Sequence, residues 1–268
     1  IAEPAQMAAV NTAQTKSRAQ GYSDKMPILY EDEALLIVDK PAGLAVHGGS
    51  GIALGVIETL RITRPELKFL ELVHRLDRDT SGVLLLAKKR SALVELHRQI
   101  REGQTDKRYY LLAHGEIAQG AQVMQLKFPL HKYLLANGER RVRVDPDGLP
   151  SHTALRVSKT FMKDSAAITL AEAQLKTGRT HQIRVHLSHL GLPIVGDKIY
   201  GTDETTFLDF IDHGWNEAMR ARMILPRQAL HAARLKIAWG GEMREWHCPL
   251  SADLSRWMND PDAASFPS

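Results

Sequence analysis

The chain has 268 residues, of which 44% are apolar and 25% are charged, as in ordinary globular proteins with a substantial core. Its one cysteine, Cys248, excludes an internal disulfide and a cysteine-based zinc cluster. Lysine and arginine (35) exceed aspartate and glutamate (31), and the net charge of +4 weakly favours a polyanionic partner. The sequence contains neither a stretch of ~18 successive apolar residues nor a basic-then-apolar leader, so we expect a cytoplasmic protein.

Residues 1–25 are rich in Ala, Gln, Ser and Thr, and this composition predicts a flexible tail or linker. From residue 26 onward, hydrophobic periodicity predicts an alternation of strands and helices. The predicted strands cover 34–38, 83–87, 109–113, 123–128, 140–144, 153–158, 167–176 and 230–239. The predicted helices cover 53–62, 91–103, 180–190, 216–223 and 252–258. Many strands in hairpin-like succession with few helices predict an α+β fold built on a mostly antiparallel sheet.

A dense charged turn, residues 74–82, comes directly before the apolar run 83–87. It holds two carboxylates and two guanidiniums beside a buried strand, where unpaired charge is costly. In an extended segment Arg75, Asp77 and Asp79 would point to one side. Two interpretations fit: a structural cluster of salt bridges, and an active-site carboxylate kept ionised by a neighbouring guanidinium.

Two further polar clusters follow along the chain. On the predicted helix 180–190, His181 and Arg184 would share a face near the N-terminus, which suits an anion, although an amphipathic helix with a solvated face fits equally. His186 and His189 are also three residues apart, but without an HExxH pattern or a cysteine ligand we expect no metal. Tyr109, beside a basic run, either packs within the sheet or stacks on a nucleobase.

Taken together, these segments resemble the RluA-type pseudouridine synthases, most closely the RluC-like enzymes that modify large-subunit (23S) ribosomal RNA. The similarity runs from about residue 28 to residue 250, through motifs at 38–49, 74–82, 107–109, 178–186 with 192–197, and 230–232. It implies a pseudouridine synthase-like catalytic domain over residues 26–260 and a short tail at 261–268. RluC-like enzymes usually carry an S4-type RNA-binding domain ahead of this domain, and we expect that domain to be absent from this chain.

The resemblance also implies roles for five residues. Asp77 matches the catalytic aspartate of the family, and Arg184 matches the arginine that pairs with it. Tyr109 matches the tyrosine that packs against the target base, and Leu230 the apolar residue that lines the pocket. Arg75 matches the arginine thought to help open the RNA helix.

The function implied is the isomerisation of specific uridines in 23S ribosomal RNA to pseudouridine by a monomer that needs no cofactor. The carboxylate either attacks C1′ of the ribose or acts first on the C2′ proton, and the sequence leaves both routes open. Asp79 is the rival nucleophile, with a structural role expected for it. Two other functions stay open: a non-catalytic RNA-binding module for ribosome assembly on the same fold, and a metal-dependent hydrolase that uses the histidines of residues 181–189.

Overall fold

The computed structural model of the protein describes residues 4–49, 54–117, 123–136, 138–163, 165–201 and 205–258. The chain divides into two compact units, Ile1–Glu102 and Gly103–Ser268. All strand pairs within each unit are antiparallel, and helices accompany the strands, so the predicted α+β class is confirmed. None of the described helices is both long and apolar enough to cross a membrane.

The described residues of the first unit form four strands and three helices. Its strands are β1 (Ile28–Glu31), β2 (Leu35–Lys40), β3 (Glu71–Leu72) and β4 (Ser81–Ala87), and its helices are α1 (Pro4–Ser23), α2 (Val56–Thr63) and α3 (Arg90–Arg101). Every residue of β4 is buried, which explains its continuous rather than alternating apolar sequence. β4 pairs with β2 and with β3, and β1 extends this sheet from β2. The charged turn therefore leads directly into the most buried strand of the unit.

The structure differs from the flexible tail that the sequence predicts for residues 1–25, because most of this segment forms α1. Ala19 is fully buried, α1 packs against α2, and the hydroxyls of Ser23 and Thr63 lie 3.5 Å apart. The alanine and glutamine that suggest a linker are also strong helix formers, and composition alone does not separate the two. The tail expected at 261–268 lies outside the described residues.

The second unit contains eight strands and four helices among its described residues. The strands are β5 (Asp106–His114), β6 (Met124–Leu126), β7 (Leu130–Leu134), β8 (Arg140–Val144), β9 (Thr153–Lys163), β10 (Ala166–Leu175), β11 (Leu230–Trp239) and β12 (Glu242–His247). The helices are α4 (Gln182–His189), α5 (Thr206–His213), α6 (Glu217–Met223) and α7 (Ala252–Met258). β5 lies between β10 and β11, β9 and β6 follow β10 outward, and β12 pairs with β11.

The hairpin of β7 and β8 forms a separate two-stranded sheet. A small apolar core joins it to α4: Leu130 and Val142 of the hairpin pack with Val185 of the helix. The sequence predicts β8 with its observed bounds but does not predict β7, α5 or β12. β12 has a largely polar sequence on an edge of the sheet, and such strands carry little periodic signal.

The N-cap of helix α4 lies one residue later than predicted. The expected cap was Thr180, but the helix starts at Gln182, and His181 precedes it in the left-handed conformation with φ +54°. Histidine is one of the few side-chain types that occur there with some frequency. His181 and Arg184 therefore do not share a helical face in the way the sequence predicts.

Candidate active site

A buried lysine at the end of β2 holds the charged turn in the first unit. The ammonium of Lys40 donates hydrogen bonds to the main-chain oxygens of Leu44 at 2.7 Å, Pro41 at 2.8 Å and Arg78 at 3.0 Å. Lys40 has no solvent exposure, so these carbonyls replace the water that its charge loses on burial. The main chain next to Asp77 is thereby fixed to the loop after β2.

The charged turn itself lies between β3 and β4. The main-chain oxygen of Asp77 accepts a hydrogen bond from the N–H of Thr80 at 3.1 Å, which closes a turn. The extended geometry expected for Arg75, Asp77 and Asp79 is therefore wrong beyond Asp77, because a closed turn does not alternate its side chains. Arg75 is exposed, whereas Asp77 and Asp79 are half-buried.

In the second unit, Tyr109 and Leu230 lie on neighbouring strands of the sheet. Tyr109 of β5 stands opposite Ala232 of β11 and Ala173 of β10, while Leu230 stands opposite Leu111. Directly paired residues share a face, so Tyr109 and Leu230 are diagonal neighbours on one face, at about 7–8 Å. Both are buried, and the small alanines beside Tyr109 leave room for its ring. The structure thus brings these two predicted pocket residues together.

Arg184 of α4 forms a buried bidentate ion pair with Asp197. Its Nε donates to Oδ2 at 2.7 Å and its Nη2 to Oδ1 at 2.9 Å, and the two side chains are 4% and 0% exposed. Burial acts to raise the pKa of Asp197, but the Arg184 charge and hydrogen bonds from Arg184, Tyr200 and Ile199 outweigh it and lower the pKa. Asp197 is therefore an ionised anchor that fixes the guanidinium.

Tyr200 packs on the same guanidinium. The Arg184 carbon Cζ lies 5.0 Å from the centre of the Tyr200 ring, a cation–π arrangement. The Tyr200 hydroxyl accepts a hydrogen bond from Val142 N–H at 3.0 Å and lies 2.8 Å from His181 Nδ1. Burial raises the pKa of Tyr200 to about 12, so the phenol stays neutral beside the cation. The Arg184 guanidinium is thus held along its edge by the Asp197 carboxylate and on its planar face by the Tyr200 ring.

A buried glutamine, Gln182, secures the segment that leads into α4. Its Oε1 accepts from the Thr177 hydroxyl at 2.7 Å and from Arg179 N–H at 3.0 Å. Its Nε2 donates to His152 O at 3.0 Å and to the Thr153 hydroxyl at 2.9 Å. All four hydrogen-bonding positions of the amide are therefore used, and they connect the turn after β10 to the start of β9.

The structure distributes the predicted site residues over the two units. Asp77 and Arg75 belong to the first unit, and Tyr109, Arg184 and Leu230 to the second. The Asp77–Arg184 ion pair, which would join residues of both units, stays a prediction. The sequence did not assign Asp197 a role, although it lies in the motif at 192–197, where the available signal is a single charged residue beside an apolar run.

The histidines considered as metal ligands make other contacts. His186 is buried, and its Nε2 lies 2.8 Å from Ser151 Oγ and 3.0 Å from Phe128 O. Burial lowers the pKa of His186. His189 packs edge-on against Phe128, with the ring centres 4.8 Å apart. Across the described ranges, no three His, Cys, Asp or Glu side chains converge as metal ligands would.

Comparison with known proteins identifies the family. The family profile described as RNA pseudouridylate synthase matches residues 34–189, more than half of the chain. The chain belongs to the RNA pseudouridylate synthase family. The matched range includes the charged turn, Tyr109 and Arg184, while Leu230 lies beyond it.

Individual members of the family agree with this assignment. The ribosomal large subunit pseudouridine synthase C of Escherichia coli (strain K12) is 48% identical over 233 residues, covering 86% of this chain and 68% of that protein. The solved structure of human RNA pseudouridylate synthase domain containing 1 is 26% identical with a TM-score of 0.67 and covers 87% of both chains. The human domain containing 4 protein, at 24% identity and a TM-score of 0.71, covers 95% of this chain and 99% of its own and supports the fold. The RluC-like resemblance is confirmed.

Proposed function

We propose that the protein is an isomerase that converts specific uridines of 23S ribosomal RNA to pseudouridine. The observation that carries this proposal is the 48% identity to a ribosomal large subunit pseudouridine synthase over 86% of the chain. At that similarity the substrate class, a large-subunit ribosomal RNA, is the simplest inference. The basic net charge of +4 suits such a partner.

The reaction breaks the N1–C1′ bond of uridine and forms a C5–C1′ bond. The C5 proton leaves and N1 gains a proton, so the composition of the RNA is unchanged. Asp77 is the proposed carboxylate, acting either on C1′ or first on the C2′ proton. Because the detached base must return to the same ribose, it has to be confined and shielded from water. The buried Tyr109 ring and Leu230 side chain suit that task.

Arg184 is the proposed counter-charge for Asp77. A guanidinium has five N–H donors, and Asp197 takes two of them, so one arginine can serve two carboxylates. With Asp197 fully buried and ionised, Arg184 is presented in one fixed orientation. A fixed cation favours the charged form of a nearby carboxylate.

A uridine stacked in RNA has to leave its helix to reach a buried ring, at a cost of a few kcal/mol. The exposed Arg75, close to Asp77 in sequence, is the proposed side chain that helps to open the RNA.

We further propose that residues 26–260 form the catalytic domain and that the protein acts as a cytoplasmic monomer without cofactor or metal. Because the isomerisation is redox-neutral, its chemistry calls for no electron carrier. Light scattering on the purified protein measures its molar mass and thereby tests whether it is a monomer.

The test of function is a pseudouridine map of 23S ribosomal RNA from cells lacking the gene. We expect one or more pseudouridines to be missing, restored by a plasmid with the wild-type gene and not restored by Asp77→Ala. Equal restoration by both plasmids would support the non-catalytic RNA-binding alternative. An unchanged map in the deletion strain would refute the proposed substrate.

A further inference from the structure

Strand β5 carries two successive cations with opposite surroundings. Arg108 is compensated: its guanidinium lies 2.8 Å from Glu172 Oε1 and 3.2 Å from Asp106 Oδ2. Lys107 points to the other face of the sheet, where its paired neighbours are Leu175 and Leu235. Among the described residues, no carboxylate or hydrogen-bond acceptor is found for the Lys107 ammonium. Within the described part of the chain, Arg108 is thus paired with carboxylates, whereas Lys107 is not.

The Lys107 side chain is also half-buried. Burial lowers the pKa of its ammonium, since loss of hydration penalises the charged form. A protein would lower this cost by placing a methionine or leucine there, as at the flanking positions Leu175 and Leu235. An uncompensated cation at a half-buried position is typical of sites where an external anion supplies the missing partner.

The position of the ammonium limits what can bind it. A methyl group built on Gly178 would lie 3.4 Å from Lys107 Nζ, so the ammonium lies beside the glycine of the turn before α4. The absence of a side chain at Gly178 keeps that side of the cation open. Lys107 is two residues from Tyr109 on the same strand face, about 7 Å along β5. An anion on Lys107 would therefore lie one nucleotide-sized step from the proposed base-contacting ring.

We propose that Lys107 binds a backbone phosphate of the RNA strand that carries the target uridine. The proposal rests on the proposed function, which makes RNA the ligand of the Tyr109 face. Phosphate is the anionic group of RNA, and a lysine ammonium is a common point-charge partner for it. Such a contact fixes the register of the RNA without reading its sequence. Lys107 is thus a substrate-positioning residue, separate from the reacting groups.

The test uses the release of salt cations from the RNA when a protein cation binds a phosphate. A purely structural role of Lys107 would not change the number of cations released. A transcribed 23S ribosomal RNA fragment with tritium at uridine C5 releases the label when C5 bonds to C1′. Single-turnover release is followed against enzyme concentration at several KCl concentrations. For Lys107→Met, we expect the half-saturating enzyme concentration to rise roughly 10- to 100-fold. The slope of log affinity against log salt should become shallower by about 0.7–0.9, the value for one phosphate contact.

Two further variants make the outcome specific. Lys107→Arg keeps the charge and should restore the wild-type slope. Lys236→Met removes the same charge from β11 at a position paired with Asp106, on the opposite face, and should leave the slope unchanged. If Lys107→Met does not fold, Lys107→Gln is measured in its place.

An unchanged affinity in Lys107→Met would overturn the proposal, and so would weaker binding with the wild-type slope, which indicates a neutral contact to the base. A shallower slope in Lys236→Met to the same extent would also overturn it, because any lost charge would then suffice. If the wild-type protein releases no tritium, the proposed function fails instead, so the two failures are distinguishable.

Discussion

Asp197→Asn should strongly destabilise the protein, because it removes the carboxylate that forms a buried bidentate ion pair with Arg184. The carboxylate accepts four hydrogen bonds, two from Arg184 and one each from the N–H groups of Ile199 and Tyr200. Asparagine can retain those at Oδ1, but it places an NH₂ group against Arg184 Nε. Removing one partner of a buried ion pair costs about 3–5 kcal/mol. At about 2–4 °C per kcal/mol, the melting temperature should fall by roughly 6–20 °C.

Urea unfolding of the wild type and Asp197→Asn measures this loss directly. Glu242→Gln is the matched control, because the Arg244–Glu242 pair is solvent-exposed and is worth about 0–1 kcal/mol. The double variant Arg184→Met/Asp197→Asn should recover part of the stability, since it also removes the buried charge that loses the Asp197 carboxylate. A loss below about 1 kcal/mol in Asp197→Asn, similar to the control, would refute the view that this carboxylate anchors Arg184.

The same pair has a pH signature. The folded-state pKa of Asp197 is lowered, so its stabilising contribution is present above the ordinary carboxyl pKa of about 3.9 and is lost as pH falls through the lowered folded value. The Asp197→Asn variant has no carboxyl group at this position, so it loses no such contribution when the pH falls. Its deficit relative to the wild type should therefore be full at pH 7 and should shrink progressively below pH ~4. A deficit that stays constant into strong acid would contradict the assignment of charge to this site.

Three further substitutions test other contacts. Lys40→Met removes the lysine donor from the main-chain oxygens of Pro41, Leu44 and Arg78, of which Arg78 O keeps a hydrogen bond from Gly43 N–H. It should lower the free energy of unfolding by about 2 kcal/mol or more, measured in urea. Gln182→Glu removes two donors to buried acceptors and should cost about 2–6 kcal/mol in the same assay, and a neutral result would contradict the hydrogen-bond assignment. Burial acts to raise the pKa of Asp253, but hydrogen bonds and the charge of Arg227 lower it to about 2. Melting curves of Asp253→Asn should thus match the wild type at pH 2 and fall below it from pH 4 upward.

The sequence predicts those strands and helices whose apolar residues form a long run or a regular alternation with polar residues. β4 and β11 are recognisable because buried strands need apolar side chains along their length. α1 was missed because its alanine-rich, polar sequence has almost no apolar face and is stabilised by packing on α2. The start of α4 was displaced because His181 adopts a left-handed conformation that propensities do not anticipate.

The candidate site likewise has features that the sequence predicts and features that only the structure shows. Motif resemblance predicts roles for Asp77, Tyr109 and Arg184, since their types and spacing follow a family pattern. It does not identify Asp197 as the buried partner of Arg184, because that pairing depends on how the loop after α4 folds back on the helix. The extended geometry expected around Asp79 fails for a similar reason: a single main-chain hydrogen bond from Thr80 converts the segment into a turn.

The most direct test of the account is tritium release from C5-labelled 23S ribosomal RNA by Asp77→Ala and Asp79→Ala, with RNA binding measured in parallel. The account expects Asp77→Ala to bind RNA and to release no tritium, because the reacting carboxylate is gone. Asp79→Ala should retain release, since its role is structural. Release by Asp77→Ala at the wild-type rate, or its loss only in Asp79→Ala, would contradict the assignment of the catalytic carboxylate.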